Sequence, residues 1–282
     1  MKKIYVAIAA LLVAGSGFAQ NDTTRNNMDT SSTRTDTIKV GNFIIIKKNK
    51  GYGENAKTTN VTVQRKPYKP TKLSTNWFIF DLGFANLNDQ TNYANTGDYL
   101  RNINNKGLPT KDDLKLKASK SSNVNIWVVM QKLNITKGYV NLKYGVGLEM
   151  FNFRYESNVN YSKNPAYIFK DSISFSKNKL YAGYVSVPLM LNVNLTPGKK
   201  GFSFSAGVSA GYLIGSHDKQ ISGERDKEKT KGNIGLEQFR LAYIGELGLG
   251  PVRLFGSYSL TKLHEKGLEQ YPYSLGIRFS KW

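Results

Sequence analysis

Histidine is the side chain best suited to proton transfer near neutral pH, and this chain of 282 residues has two. His217-Asp218 and His264-Glu265 each set a carboxylate beside an imidazole, and Ser216 and Ser257 are candidate nucleophiles. A base oriented by an acid next to a nucleophile would support hydrolysis or acyl transfer. Nothing in the spacing brings these groups together, so the simpler expectation is two histidines in solvated loops. His264-Glu265-Lys266-Gly267 lacks the second histidine of an H-E-x-x-H helix. The absence of cysteine removes thiolate metal sites, disulfides and a cysteine nucleophile. Gly145/Gly147 and Gly248/Gly250 follow strand parity and precede no helix, so they do not read as phosphate loops. No catalytic residue, cofactor or metal is predicted.

The elements around these groups are legible in the same sequence. Lys2 and Lys3, the apolar run from Ile4 to Val13 and the small-x-small site Gly17-Phe18-Ala19 have the form of a signal peptide over residues 1–19. That run is shorter than a membrane-crossing helix, and no later apolar stretch reaches the required length. Mean hydropathy is −0.42, formal net charge is +20 and the pI is near 9.8. So basic a cytosolic chain would suggest nucleic acid. The leader argues against that partner, and no helical stripe of basic residues supports it. The excess is partly local: residues 20–75 hold 11 Lys+Arg against 4 Asp+Glu, a net of 11 − 4 = +7. Residues 20–37 are polar and read as a tether. Phe43-Ile44-Ile45-Ile46 predicts one short strand within 38–48. Residues 49–75 are polar again, with Pro67 and Pro70 stiffening the chain.

Eight segments of alternating character follow, at 76–88, 122–135, 138–155, 179–195, 201–214, 236–249, 251–264 and 271–281. Period two argues for strands, and each can supply the ~9–11 residues of a tilted membrane strand. In the third, Val140, Leu142, Tyr144, Val146, Leu148 and Met150 oppose Asn141, Lys143, Gly145, Gly147 and Glu149. In the eighth, Tyr271, Tyr273, Leu275, Ile277 and Phe279 oppose Ser274, Gly276 and Arg278. A face of small and charged residues suits a narrow lumen, whereas a soluble barrel would turn its large apolar residues inward. Asp81, Glu149 and Glu246 with Lys143, Arg253 and Arg278 are therefore predicted as structural lumen charges of balancing sign. Connections alternate between tight turns (136–138, 196–200, 249–251) and longer ones (89–120, 156–178, 215–235, then 265–270). The expected fold is all-β: an eight-stranded antiparallel up-and-down transmembrane β-barrel over 76–282, behind a mostly irregular N-terminal segment over 20–75. Bacterial barrels of this kind have short periplasmic turns. The expected location is the bacterial outer membrane, with both ends of the mature chain periplasmic.

Three places break the pattern. Trp127-Val128-Val129-Met130 is apolar without alternation. Phe151, Phe153 and Tyr155 suggest a change of face, either as part of an aromatic girdle or through a bulge. Pro188 lies mid-strand, where a bulge or a lost ladder bond is expected.

Several stretches resemble the PorT-like outer-membrane β-barrel domain proteins of the Bacteroidota, whose barrels are OmpA-like. Tyr184-Val185-Ser186-Val187-Pro188-Leu189-Met190-Leu191 is similar to that family's Tyr-x-x-Ile-Pro-Leu-x-Leu strand. Ser257-Tyr258-Ser259-Leu260-Thr261 resembles its penultimate strand, and Tyr273-Ser274-Leu275-Gly276-Ile277-Arg278-Phe279 its closing strand. Asp36-Thr37-Ile38-Lys39-Val40-Gly41 is similar to a segment that precedes such barrels. Phe279 is in register with the closing aromatic of many outer-membrane barrels, while Trp282 is off by one. The resemblance implies a fold and a location rather than one activity, and a few such proteins take part in secretion.

Eight strands leave an interior that side chains can fill. The expectation is a non-catalytic structural or adaptor protein of the cell envelope without an open pore. Its expected contacts are outer-membrane lipid and a periplasmic protein or peptidoglycan reached through residues 20–75. Three alternatives stand beside it: a rim enzyme (lipid A hydrolase, acyltransferase or protease) using His217 or His264, a secretion-associated barrel subunit, and a soluble barrel around an apolar ligand.

Overall fold

The computed structural model describes residues 34–40, 43–49, 59–65, 70–103, 105–197 and 201–282. The expected leader and most of the expected tether lie outside these residues. The chain divides into two compact units, Met1–Pro67 and Tyr68–Trp282.

In the first unit, β1 (Arg34–Val40), β2 (Phe43–Asn49) and β3 (Thr59–Arg65) form an antiparallel sheet in that order. The single strand expected within 38–48 is thus two strands, with Val40 paired to Phe43. A third strand, β3, stands where polar irregular chain was expected. Ile38, Ile45 and Val63 share one cross-strand rank.

The second unit is the barrel. Its strands in chain order are β4 (Leu73–Asp89), the two-residue β5 (Leu100–Arg101), β6 (Ser122–Thr136), β7 (Val140–Arg154), β8 (Val159–Ser162), β9 (Tyr167–Lys170), β10 (Lys177–Asn194), β11 (Phe202–Ile221), β12 (Lys227–Lys231), β13 (Phe239–Leu249), β14 (Val252–Ser259) and β15 (Gln270–Phe279). The order β10-β7-β6-β4-β15-β14-β13-β11 closes through a β10–β11 pairing into an antiparallel ring of eight. Closure pairs the backbone polar groups around the ring and removes the free edges. β12 extends the sheet beside the far end of β11, and β5, β9 and β8 make a small separate sheet.

Large apolar side chains cover the outside. Phe84 is 65% exposed and Leu275 66%, and Leu189, Phe204, Tyr243 and Ile277 share this outer surface. In water such a girdle would carry a large unfavourable hydration cost, whereas against lipid it carries none. The inner face is small or polar, with Ser186, Ser205, Ser209 and Asn141 all buried.

The irregular places resolve individually. A register shift between Trp127 and Val129 lets Trp127 and Met130 both point inward, with Val128 outside. The expected face change in β7 does not occur: Asn141, Lys143, Glu149, Phe151 and Phe153 keep one inward parity. What changes is the interior itself, from polar to aromatic, because folded connections cover that end. Pro188 keeps its place opposite Ser209, while the pairing with β7 lapses at Val187 and Pro188. A residue without an N–H cannot donate to the ladder there. β11 runs to Ile221, so part of the expected 215–235 loop is strand, and β14 ends at Ser259 rather than near 264.

Candidate functional site

The lumen holds a network of charges carried on strands from all round the ring. Glu246 on β13 is its hub. It accepts from Lys143 Nζ (2.8 Å), Arg253 Nη1 (2.8 Å) and Arg278 Nη1 (2.8 Å). Arg278 also donates through Nε and Nη2 to the two oxygens of Asp81, each at 2.7 Å. Trp127 Nε1 donates to Asp81 Oδ2 at 2.8 Å. Glu149 pairs with Arg240 and accepts from Ser209 Oγ at 2.9 Å. All six predicted lumen charges are buried, and they fall into two groups. Five form one group, in which Lys143, Arg253 and Arg278 meet at Glu246 and Arg278 links it to Asp81, whereas Glu149 sits apart with Arg240. Arg240 was missed. It lies within the expected strand 236–249 and obeys the parity of Glu246 on β13, which is the signal that places it inward. With Arg240 the buried ion pairs of the lumen join four cations, Lys143, Arg240, Arg253 and Arg278, to three carboxylates, Asp81, Glu149 and Glu246.

These groups fill the tube. A cavity beside Glu149 and Arg278, walled by Trp127, Met190 and Phe255, is ≈ 10 Å³, about the space of one water. At the short-turn end Trp282 folds against the lumen. Its indole donates to Ser74 Oγ at 3.0 Å, Arg253 Nε donates to its carbonyl at 2.6 Å, and Lys143 lies 5.2 Å from its ring. A soluble barrel around an apolar ligand needs the opposite arrangement, a greasy cavity and a polar exterior.

The long-connection end is closed by a second packing layer. Tyr99, Leu114, Phe151, Phe153, Tyr161, Ile168, Ile234 and Leu263 are among the buried residues of one apolar cluster. His264, 1% exposed, packs against two of its tyrosines, Tyr99 and Tyr161. The expectation of a solvated loop histidine is therefore corrected for this residue. Its ring stacks on Tyr161 at 5.9 Å, and Nε2 lies 3.1 Å from the Tyr161 hydroxyl, which is 2.6 Å from that of Tyr155. Nδ1 has no partner among the described residues. Burial pushes this imidazole down to about 3. Asp218 is buried nearby, four residues past Ile214, where the lipid-facing run of β11 ends. It accepts from Gln220 Nε2 at 2.9 Å, and burial pushes it up to about 7.

His217 faces the opposite way, outward, stacked on Tyr181 with ring centres 4.7 Å apart. Burial first, and then Lys229, Lys179, Lys231 and Lys219, push it down to about 4. Ser216 donates to the Gly232 carbonyl, and Ser257 lies in the lumen beside Ser274. The two histidines and two serines thus occupy four different environments and form no nucleophile–base pair. Among the described residues no group of three or more His, Cys, Asp or Glu has the geometry to hold a metal ion.

Comparison with known proteins agrees with this architecture. No curated protein matches the chain. A solved structure similar to it is that of Ail, the attachment invasion locus protein of Yersinia pestis, at 13% identity over 73% of this chain and 98% of that one, with a TM-score of 0.31. Residues 80–265, well over half of the chain, match the profile described as outer membrane protein beta-barrel domain. The chain belongs to the outer membrane protein beta-barrel domain family.

Proposed function

We propose that this protein is a non-catalytic structural or adaptor component of the envelope, related to the PorT-like and OmpA-like barrels, and that it conducts nothing. The observation that carries this reading is the buried ion network that crosses the lumen beneath an aromatic cap. A diffusive pore needs a continuous water path, and a catalyst needs a reachable reacting group. His264 is sealed within the cap, and His217, stacked on Tyr181 at the outer face, hydrogen-bonds no serine or carboxylate among the described residues.

In this reading the short turns and both chain ends face the periplasm and the capped end faces outward. The N-terminal segment supplies the adaptor contact. Its three-stranded sheet carries exposed Ile38, Val61 and Val63 among many lysines. A lone three-stranded sheet has little core of its own and gains from a partner surface. The net +7 of residues 20–75 suits an acidic or anionic partner, a periplasmic protein or peptidoglycan.

Crosslinking in intact envelopes tests it, comparing the full chain with a variant lacking residues 34–65. The expected result is a periplasmic neighbour captured by the full chain and lost from the shortened one, with both barrels migrating as folded on unheated gels. An identical set of neighbours would remove the adaptor role. Stepwise conductance of the purified protein in a planar bilayer would remove the closed lumen.

A further inference from the structure

β10, β11 and β12 run past the lipid-facing girdle and carry cations on the same outward face. The pairing registers align them in ranks. Arg154, Lys179, Lys219 and Lys229 lie side by side across four adjacent strands, β7, β10, β11 and β12. One rank further from the girdle, Lys177 and Lys227 flank Ile221. One rank nearer, Tyr181, His217 and Lys231 lie abreast. With strands about 4.8 Å apart, the four-cation rank spans only about 15 Å, roughly one to two Debye lengths at physiological salt.

No acid neutralises this face. None of these cations forms a salt bridge among the described residues, although ten salt bridges join other residues among them. Glu228 belongs to the opposite face of β12 and lies 3.9 Å from Arg225. The charges acting most strongly on Lys177 and Lys179 are other cations. Arg154 Nε is buried without a partner. Like charges directly opposite one another weaken a sheet, so the arrangement is costly unless an anion joins it. Where the patch meets the girdle, Tyr181, Tyr212, Ile214, His217, Lys229 and Lys231 line a groove of ≈ 560 Å³. A lipid lying against Tyr212 and Ile214 would hold its headgroup level with that groove.

We propose that this face is a binding site for the phosphate-bearing headgroup of an outer-leaflet lipid, with its acyl chains on the girdle and its phosphates among Lys179, Lys219, Lys229 and Lys231. The site rests on the outward orientation of the capped end given above. Phosphate suits it because several cations without an acidic partner among the described residues converge on a small area, Lys179 being held by Asn152 Oδ1 at 2.7 Å, and the adjoining apolar surface selects a lipid over a soluble anion.

The test uses the full chain in neutral detergent, titrated with lipid A carrying its phosphates and with the dephosphorylated lipid, binding being counted by native mass spectrometry. The triple variant K179Q/K219Q/K229Q is compared with K106Q/K111Q/K266Q, which removes equal charge from exposed positions in other connections of the same end. Gel mobility of unheated samples reports folding of each. The wild type and the control should prefer the phosphorylated lipid. The patch variant should lose that preference, at about fivefold per cation and so about a hundredfold for three. Equal binding by patch variant and control overturns the site, as does equal wild-type binding of the two lipids. If inorganic phosphate at equal concentration displaces the lipid completely, the face is a small-anion site and the lipid assignment fails. Orientation is read separately, by labelling a K229C variant in intact cells with a membrane-impermeant maleimide. Lipid binding in detergent without labelling would overturn the orientation, and with it the outer-leaflet assignment, while showing that the face still binds a phosphate-bearing lipid.

Discussion

Replacing Glu246 with glutamine keeps the shape of the lumen hub and removes its charge. Three cations lose an anionic partner at once, and they are not equally exposed to the loss. Arg278 retains two bonds to Asp81, and Arg253 retains the Trp282 carbonyl. Lys143 retains only Ser205 Oγ at 3.2 Å and the Trp282 ring at 5.2 Å. The network loses one of its three carboxylates while its four cations stay buried. Breaking a buried ion pair on one side costs about 3–5 kcal/mol, and E246Q is expected to lose that much. Most of the unbalanced charge rests on Lys143, so K143M added to E246Q should recover about 1–2 kcal/mol, whereas K143M alone is mildly destabilising. The assay is urea unfolding in detergent followed by tryptophan fluorescence, since Trp127 and Trp282 both touch the network. The refuting outcome is additivity: two losses that simply sum show that the two side chains do not interact. An E246Q variant within about 0.5 kcal/mol of wild type would show that the lumen is wet enough to screen its charges.

Other outcomes follow from the same contacts. G276A should fail to assemble or lose several kcal/mol, because a Cβ there would sit 2.2 Å from the Leu82 carbonyl oxygen and 2.4 Å from Gly83 Cα, both backbone atoms of β4; heat-modified gel mobility reads this, and a wild-type melting point would refute it. In the cap, the raised carboxyl of Asp218 loses stability as pH climbs from about 4 to about 7, while the lowered imidazole of His264 loses stability as pH falls from about 6.5 to about 3. The two slopes oppose one another between pH 4 and 6.5, so D218N should turn a flat thermal-stability profile into one that drops on acidification, and parallel profiles would contradict it. R240M should destabilise by about 3 kcal/mol by stranding Glu149, and R240M/E149Q should be closer to wild type by the same urea assay.

Much of the barrel was legible because a half-lipid, half-lumen strand must alternate, and alternation survives in sequence. Lys143 and Glu149 fall on the same parity, and no neighbour was needed to place them inward. The sheet of the first unit was less legible. Ile38, Ile45 and Val63 are spread among lysines and threonines, so no run signals β3; the Gly41-Asn42 dipeptide between β1 and β2 was the one hairpin cue. The cap was hidden for a different reason. His264 and Tyr161 are far apart in sequence, and each sits among polar residues. Their burial depends on three long connections folding over the mouth together, which no local pattern records.

The parity of β7 shows how one rule serves two interiors. Lys143 and Glu149 face a closed tube in the membrane, where an unpaired charge is intolerable and ionic partners must come from across the ring. Phe151 and Phe153 continue the same face into the mouth, where the cap excludes water and apolar contact replaces ion pairing. On the outer face the sequence of environments runs the other way, from lipid-facing Leu148 and Met150 to Asn152 and Arg154. Inside, polarity falls toward the mouth; outside, it rises. The surplus length of β10 and β11 beyond the girdle is therefore a wall with a dry inner surface and a cationic outer one. A barrel that served only to span the membrane would need neither surface. The proposed lipid site uses the outer surface of that wall, and the proposed adaptor contact uses the N-terminal sheet.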